Sequence, residues 1–222
     1  DAHLDSRSGM PGQLLAVHDD AVLVACGDHS LWIGSLRLKP QPGEETFKRP
    51  ARHVLGERLA DVPVLDWSVS SSPFSTEAYQ PIRYRESGRV GELTFEFYNG
   101  AMSTEQCQRM VAALRWAKSR DTQVLLIKGG RGSFSNGVHL NVIQAAQDLG
   151  AEAWANIQAI DDVCAELLTA RQLGGSGVTG NAGSVSYASD RKGYGPGMPG
   201  AFVLPAKGFS DFGNAIRQKF VI

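Results

Sequence analysis

A short apolar strand that runs into a glycine-rich loop constrains the fold of this chain more than any other feature. Residues 124–127 read Val-Leu-Leu-Ile, a continuous apolar run that is typical of a buried strand in a parallel or mixed sheet. Glycines follow at positions 129, 130, 132 and 137, and a helical pattern begins near residue 140. Glycine tolerates positive φ and has no side chain, so such a loop lets backbone N–H groups approach a ligand closely. An ordinary strand-to-helix connection would carry the same glycines.

Composition and charge narrow the class of protein. The 222 residues allow one or two domains, and the 42% of apolar residues are enough for a buried core. A net charge of −1 gives no support for nonspecific binding to nucleic acid or to an anionic membrane. No apolar run approaches the length of a membrane-spanning helix. We therefore expect a globular protein without a membrane or nucleic-acid partner.

The three cysteines predict neither a disulfide framework nor a metal site. Cys26, Cys107 and Cys164 lie far apart in the sequence, and no CxxC pair is present. Each falls within an apolar or helical pattern, so we predict buried thiols in a reducing cytoplasm. Because the chain opens on Asp1 rather than Met, we expect a fragment of something longer.

The first 81 residues predict a small β domain and a connector. Short β patterns at 12–17, 21–26 and 30–37 are separated by turn-rich breaks, which favours a small all-β barrel over residues 1–40. Residues 41–81 are rich in proline and allow one short helical piece, at 53–60. We interpret this segment as a connector that Trp67 and Phe74 pack onto a neighbour.

Residues 82–173 predict an α/β domain. An alternating pattern over 84–97 surrounds a Ser87-Gly88 turn and indicates a hairpin. Ser103 with Gln106 three places on is a capping box, followed by a helix through Lys118. Two further helices are predicted at 140–148 and 151–170. The apolar face predicted for the last helix consists of Trp154, Ile157, Ile160, Val163, Cys164 and Leu167.

The last segment, 174–222, has a different composition. It holds eleven of the 25 glycines and shows almost no apolar periodicity. Such a sequence buries too little apolar surface to offset the entropy lost on ordering. We therefore predict a largely irregular Gly/Pro-rich tail.

Two segments of the chain resemble a known family. Residues 134–140, Phe-Ser-Asn-Gly-Val-His-Leu, resemble the FxxGxDL loop of the crotonase (enoyl-CoA hydratase/isomerase) superfamily. Together with residues 97–104, this loop looks like the crotonase-like domain of the hydrogenase maturation factors HypX/HoxX. Residues 11–20 and 23–28 resemble the small C-terminal barrel of formyltransferases, and HypX proteins join these two modules in this order. The resemblance covers roughly residues 5–173.

The resemblance implies a fold and an activity. The fold would be an incomplete crotonase-like ββα spiral, preceded by an OB-like formyltransferase barrel. HypX/HoxX enzymes transfer a formyl group from N10-formyltetrahydrofolate to coenzyme A and release CO from formyl-CoA. That CO becomes a ligand of the [NiFe]-hydrogenase active site. The implied cofactors are therefore coenzyme A and, through a domain preceding residue 1, the folate. Hydrogenase maturation proteins are the implied partners.

The resemblance also implies roles for individual residues. In crotonases two backbone N–H groups hold the thioester oxygen; the first would belong to Val138, and the second to the region of Gly183. Val138 N–H would also lie beside a helix start, whose dipole favours negative charge. The acyl-CoA contacts would come from Phe134, Ser135, Asn136, Gly137, Lys128 and Arg131.

Several side chains allow two interpretations. Lys128 and Arg131 suit CoA phosphates, and plain solvent exposure fits them equally well. For His139 a structural role is favoured over that of a base. Asp161, Asp162 and Glu166 are interpreted as a solvated helix face. No acid or base residue is assigned, because Ser184 to Tyr187 depart from the family pattern.

Three functions remain open from the sequence. The first is a HypX/HoxX-type fragment that keeps part of an acyl-CoA site without complete catalysis. The second is a general enoyl-CoA hydratase/isomerase, which needs glutamates near residues 139–150 and beyond Gly183. The third is a non-catalytic binding or assembly module whose barrel recognises a partner.

Overall fold

The computed structural model describes residues 2–43, 45–66, 79–130, 134–169, 173–177, 184–189 and 202–206. The chain divides into two compact units, Asp1–Gln80 and Pro81–Ile222. Each unit is described by itself below. Trp67 and Phe74, which were predicted to pack the connector onto a neighbour, lie outside the described residues.

The first unit is built on a four-stranded antiparallel sheet. Its strands are β1 (Ala2–Asp5), β2 (Leu14–His18), β3 (Ala21–Ala25) and β4 (Ser30–Ile33), in the order β1-β4-β3-β2. The β patterns of the sequence are therefore confirmed. The expected barrel is not seen: within the described residues the sheet stays open, with β1 at one edge and β2 at the other.

Residues 49–65 pack onto this sheet. The short strands β5 (Ser35–Leu36) and β6 (Arg49–Pro50) pair, and α1 (Ala51–Leu55) continues into a 3-10 turn at Gly56–Leu59. The helical piece predicted at 53–60 is thus present. Ala51 is buried in one cluster with Val17 and Val22 of the sheet. Much of the segment interpreted as a connector therefore contributes to the core of the first unit.

A charged cluster at one edge of the sheet holds Trp32 in place. The Asp5 carboxylate accepts hydrogen bonds from Arg7 Nε at 2.9 Å and from Arg7 Nη2 at 2.7 Å. It also accepts one from Trp32 Nε1 at 2.9 Å, while the Arg7 guanidinium lies 5.5 Å from the centroid of the indole ring. Hydrogen bonds from the Arg7 guanidinium hold the pKa of the Asp5 carboxyl well below its usual range.

We expect Asp5→Asn to make the free energy of unfolding of the first unit less dependent on pH between pH 7 and pH 3. The folded pKa of Asp5 is depressed, so its contribution is present above the unfolded pKa of about 4 and is lost as the pH falls below that value. Asp5→Asn should cost about 1 kcal/mol at pH 7, since one partner is partly exposed, and clearly less at pH 3, where part of the contribution is already lost. Urea unfolding at both pH values measures this. An equal cost at both would contradict the assignment.

The second unit contains a six-stranded mixed sheet. The strands β7 (Ile82–Ser87) and β8 (Val90–Phe95) form the predicted hairpin, and β10 (Val124–Lys128) lies parallel to β8. Three strands follow in the segment predicted to be irregular: β12 (Leu173–Gly177), β13 (Ser184–Ser189) and β14 (Phe202–Ala206). The sequence did not predict these three strands. Backbone groups pair along a sheet regardless of side chain, so apolar periodicity did not reveal these strands.

The helix α2 (Thr104–Lys118) begins at the predicted cap. The Ser103 hydroxyl accepts from Gln106 N–H at 3.3 Å, and the Gln106 side chain accepts from Ser103 N–H at 2.8 Å. The reciprocal pair satisfies two N–H groups that the first turn leaves without helical partners. The apolar residues of α2, Met110 and Leu114 among them, are buried.

The two following helices differ from their predicted form. The first, α3 (Leu140–Gln144), has five residues rather than nine. The second, α4 (Leu149–Leu168), packs on α2, and the predicted stripe is buried only in part, at Val163. Trp154 and Ile157 are 62% and 45% exposed, while the buried positions are Asn156, Ala159 and Val163. The side facing α2 is thus rotated away from the most apolar side.

Two of the three cysteines are also placed differently from prediction. Cys107 is buried on α2, and burial raises the pKa of its thiol to about 12. Cys26 and Cys164 are exposed. Cys26 follows the end of β3, and Cys164, after burial, adds to the rise in the pKa of the Cys107 thiol. Across the part of the chain that the structure describes, no helix combines the length and the apolar character needed to cross a membrane.

Candidate acyl-oxyanion site

A two-residue parallel ladder forms the centre of the candidate site. The strand β9 (Ala101–Met102) pairs with β11 (Gly137–Val138), with Gly137 opposite Ala101 and Val138 opposite Met102. The turn before β9 has positive φ at Asn99 (56°) and at Gly100 (67°). Asparagine and glycine are the residues that adopt this conformation at low cost, which explains their presence there. The ladder brings the two segments that carry the crotonase-like resemblance side by side.

The loop before Val138 is held by its own hydrogen bonds. Asn136 N–H donates to Gly100 O at 2.7 Å, and Asn136 Nδ2 donates to Asn99 O at 2.6 Å. Gly137 has φ of 76°, and its N–H donates to Ser135 Oγ at 3.2 Å. A Cβ at Gly137 would meet nothing within 4 Å. The glycine is therefore required by backbone conformation rather than by space.

Two of the remaining side chains predicted to contact acyl-CoA have partners within the protein. The Phe134 ring packs edge-on against Phe95, with 5.2 Å between centroids, and is thus part of the packing beneath the loop. Lys128 Nζ donates to Glu92 Oε1 at 3.1 Å on the neighbouring strand, which partly neutralises its charge. Arg131 and Gly183 lie outside the described residues.

A buried asparagine that the sequence analysis did not single out connects the ladder to α4. Asn156 is fully buried; its Oδ1 accepts from His139 N–H at 3.0 Å, and its Nδ2 donates to Met102 O at 2.9 Å. A signal was available: Asn156 is polar, yet it shares a helical face with Ala159 and Val163. Buried amides are rare unless hydrogen-bonded, so a polar residue at such a position marks a specific contact.

The side chains that allowed two interpretations now have definite surroundings. His139 is buried, which agrees with a structural role. Asp161 and Asp162 are exposed, as predicted. Glu166 differs: its side chain is 15% exposed and accepts from Lys118 Nζ and from Arg115 Nε, the latter at 2.6 Å. These bonds, that of Lys118 first, lower the pKa of the Glu166 carboxyl.

The glutamate nearest in sequence to the loop is also engaged. Glu152 Oε1 accepts from the Thr104 hydroxyl at 2.8 Å, which ties the start of α4 to the start of α2. Glu152 and Glu166 therefore have structural partners, and neither is placed as a base. Helix α3, with five residues, adds little dipole at Val138, so the expected helix-dipole contribution is small.

The comparisons with known proteins agree with both modules. The family model "Formyl transferase, C-terminal domain" matches residues 1–51. The hydrogenase maturation factor HoxX of Bradyrhizobium diazoefficiens is 41% identical over 197 residues, which are 86% of this chain and 32% of HoxX.

Solved structures give the same relationship. A variant of HypX from Aquifex aeolicus aligns with a TM-score of 0.75 at 37% identity, over 82% of this chain and 32% of HypX. HypX from the same organism in complex with tetrahydrofolic acid aligns with a TM-score of 0.74. An enoyl-CoA hydratase/isomerase (crotonase) from Legionella pneumophila aligns over 45% of this chain with a TM-score of 0.39 and 17% identity.

The sequence and structural similarities thus extend across both units of the chain. The chain spans about a third of the length of the relatives that it matches. Over that third of their length, it belongs to the HypX/HoxX family of hydrogenase maturation factors.

Proposed function

We propose that the second unit contributes the first oxyanion donor, the N–H of Val138, to a formyl-CoA site. The observation that carries the proposal is the positive φ of Gly137 directly before Val138, in a ladder that also holds residues 101–102. A donor fixed before the substrate arrives stabilises negative charge on a thioester oxygen without reorganisation, by about 3–4 kcal/mol in favourable cases.

The backbone geometry around Val138 supports this assignment. His139 N–H and Met102 O share the Asn156 side chain, so His139 N–H faces β9. Successive N–H groups of extended backbone point to opposite edges of a strand. Gly137 has positive φ and interrupts the alternation that starts from Asn136, so we infer that Val138 N–H points away from β9, toward a substrate oxygen.

The two reactions that we propose, formyl transfer to CoA and release of CO from formyl-CoA, need no oxidant or reductant. The formyl group moves from N10 of the folate to the sulfur of CoA, which gives tetrahydrofolate and formyl-CoA. In the second step the C–S bond and the formyl C–H bond break, CO leaves, and the proton is taken up by the sulfur. A donor at Val138 would polarise the formyl carbonyl in this step. The CO would serve [NiFe]-hydrogenase assembly, with hydrogenase maturation proteins as partners.

The two proposed cofactors have different support. Tetrahydrofolate is proposed because the HypX structure that this chain resembles contains tetrahydrofolic acid. Coenzyme A is proposed from the loop at residues 134–138. The second donor, in the region of Gly183, and a contribution of Arg131 to CoA phosphate binding remain part of the proposal.

We expect Gly137→Ala to lower the affinity for acetyl-CoA about tenfold. Acetyl-CoA has the carbonyl that the donor recognises, and CoA alone does not, so the preference for acetyl-CoA over CoA reports the donor. Alanine at positive φ costs about 1–2 kcal/mol, and the free loop relieves this strain by turning Val138 N–H away. Binding must restore the donor, and 1.4 kcal/mol is tenfold in affinity. Calorimetric titration of both ligands measures the preference.

The matched control is Gly88→Ala in the β7–β8 turn. Gly88 also has positive φ, 57°, and space for a Cβ. The Gly88→Ala substitution therefore imposes a similar backbone penalty at a position away from the loop. It should leave the preference for acetyl-CoA unchanged. A wild-type chain that binds both ligands equally would overturn the proposal. Measurement of CO released from formyl-CoA then tests whether this chain turns over.

A further inference from the structure

The Asn156 amide occupies the place where the next main-chain hydrogen bond of the ladder would form. The register pairs Gly137 with Ala101 and Val138 with Met102. The following contact, between His139 N–H and Met102 O, is made through Oδ1 and Nδ2 of Asn156 instead. A helix side chain thus continues the pairing of two strands.

The orientation of this amide is fixed by its partners. The carbonyl oxygen must face the His139 N–H donor, and the NH2 group must face the Met102 acceptor. A flipped amide would place donor against donor and acceptor against acceptor. Because Asn156 is fully buried, either mismatch would leave polar groups without water or a partner. The chain therefore has one low-energy arrangement at this point.

This contact determines the direction of the peptide that follows Val138. The peptide between Val138 and His139 is rigid, so holding its N–H sets the rotation about the Val138 Cα–C bond. On the other side, Asn136 N–H is anchored to Gly100 O at 2.7 Å. Val138 N–H thus lies between two anchored peptides.

We propose that Asn156 is the positioning residue of the acyl-oxyanion site: it holds Val138 N–H in the direction needed to bind a thioester oxygen. The inference rests on the proposed function. It adds that the direction of Val138 N–H must be fixed before the substrate binds. Misplacement of a reacting group by about 1 Å costs up to a hundredfold in rate, so a residue that fixes the donor has a measurable effect.

Asn156→Leu tests this proposal on the full chain. Leucine has the same number and branching of side-chain heavy atoms, although it is larger, and it makes neither hydrogen bond. We expect the preference for acetyl-CoA over CoA to fall about tenfold or more, with the affinity for CoA itself within twofold of wild type. The matched control is Val163→Ala, which makes a cavity on the same buried face of α4 without touching the ladder. The Val163→Ala chain should be less stable than wild type and should keep the preference for acetyl-CoA over CoA.

If Asn156→Leu does not fold, hydrogen exchange of the backbone amides in the wild-type chain tests the role of Asn156 instead. His139 N–H should be protected in the free chain, and acetyl-CoA should add protection at Val138 N–H. Rapid exchange at His139, or a folded Asn156→Leu chain that keeps the preference, would overturn the role of Asn156. A wild-type chain without any preference would instead overturn the donor at Val138, which separates the two failures.

Discussion

Trp32→Ala should destabilise the first unit by about 3–5 kcal/mol. Trp32 is fully buried in a cluster with Ala16, Ala21 and Leu23, and its ring stacks on Tyr79 with 6.1 Å between centroids. Its removal leaves a cavity and takes away the indole N–H that donates to the Asp5 carboxylate. A loss of this size is comparable with the whole stability of a small unit. Urea unfolding followed by circular dichroism measures it.

Two further variants separate packing from hydrogen bonding. Trp32→Phe keeps one aromatic ring and so leaves a smaller cavity, but it loses the bond to Asp5, and it should cost less than half as much as Trp32→Ala. Leu4→Ala on β1 is the surface control: Leu4 is 63% exposed, and its removal should change stability by less than about 0.5 kcal/mol. Equal effects of Trp32→Ala and Leu4→Ala would contradict the core assigned to the first unit.

The second large effect is expected from Gly91→Val in the second unit, at about 3 kcal/mol of destabilisation. Tyr84 on β7 lies diagonally across Gly91 on β8, and a Cβ there would lie 2.3 Å from the Tyr84 hydroxyl oxygen. Tyr84 cannot move aside easily, because it is buried and packs edge-on against Trp116 at 5.0 Å. Thermal and urea unfolding measure the change.

A double-mutant cycle with Tyr84→Phe identifies the cause. The phenylalanine ring lacks the oxygen of the shortest contact, so Gly91→Val should cost less in that background. The coupling should be about 1 kcal/mol. Additive effects would show that Gly91 is required for its backbone conformation rather than for the approach of Tyr84.

Local rules of the sequence predicted much of the second unit. The Ser87-Gly88 turn, the Ser103–Gln106 capping box and the strand at 124–128 all occur as expected. Each depends on residues that are neighbours along the chain. The loop glycine was identified in the same way, since a residue with φ of 76° is most easily glycine.

The errors share a different cause. The apolar residues of α4 predicted a stripe that included Trp154 and Ile157, but the helix packs through Asn156, Ala159 and Val163. Which face is buried depends on the surface of α2 and on the Asn156 contacts, and neither follows from periodicity. The glycine-rich strand β12 likewise depends on its neighbour β10 in the sheet.

The hairpin, the helix cap, the loop and the family resemblance could be identified from the sequence, because turns, caps and residue order are encoded over a few neighbouring positions. Packing of the chain determines which distant groups meet. It placed Met102 beside Val138 and inserted Asn156, 18 positions further along, between Met102 and His139. Hydrogen bonds between such distant residues form only when the helix and the ladder pack together, so the partners of Asn156, and the role that we propose for it, follow from the fold.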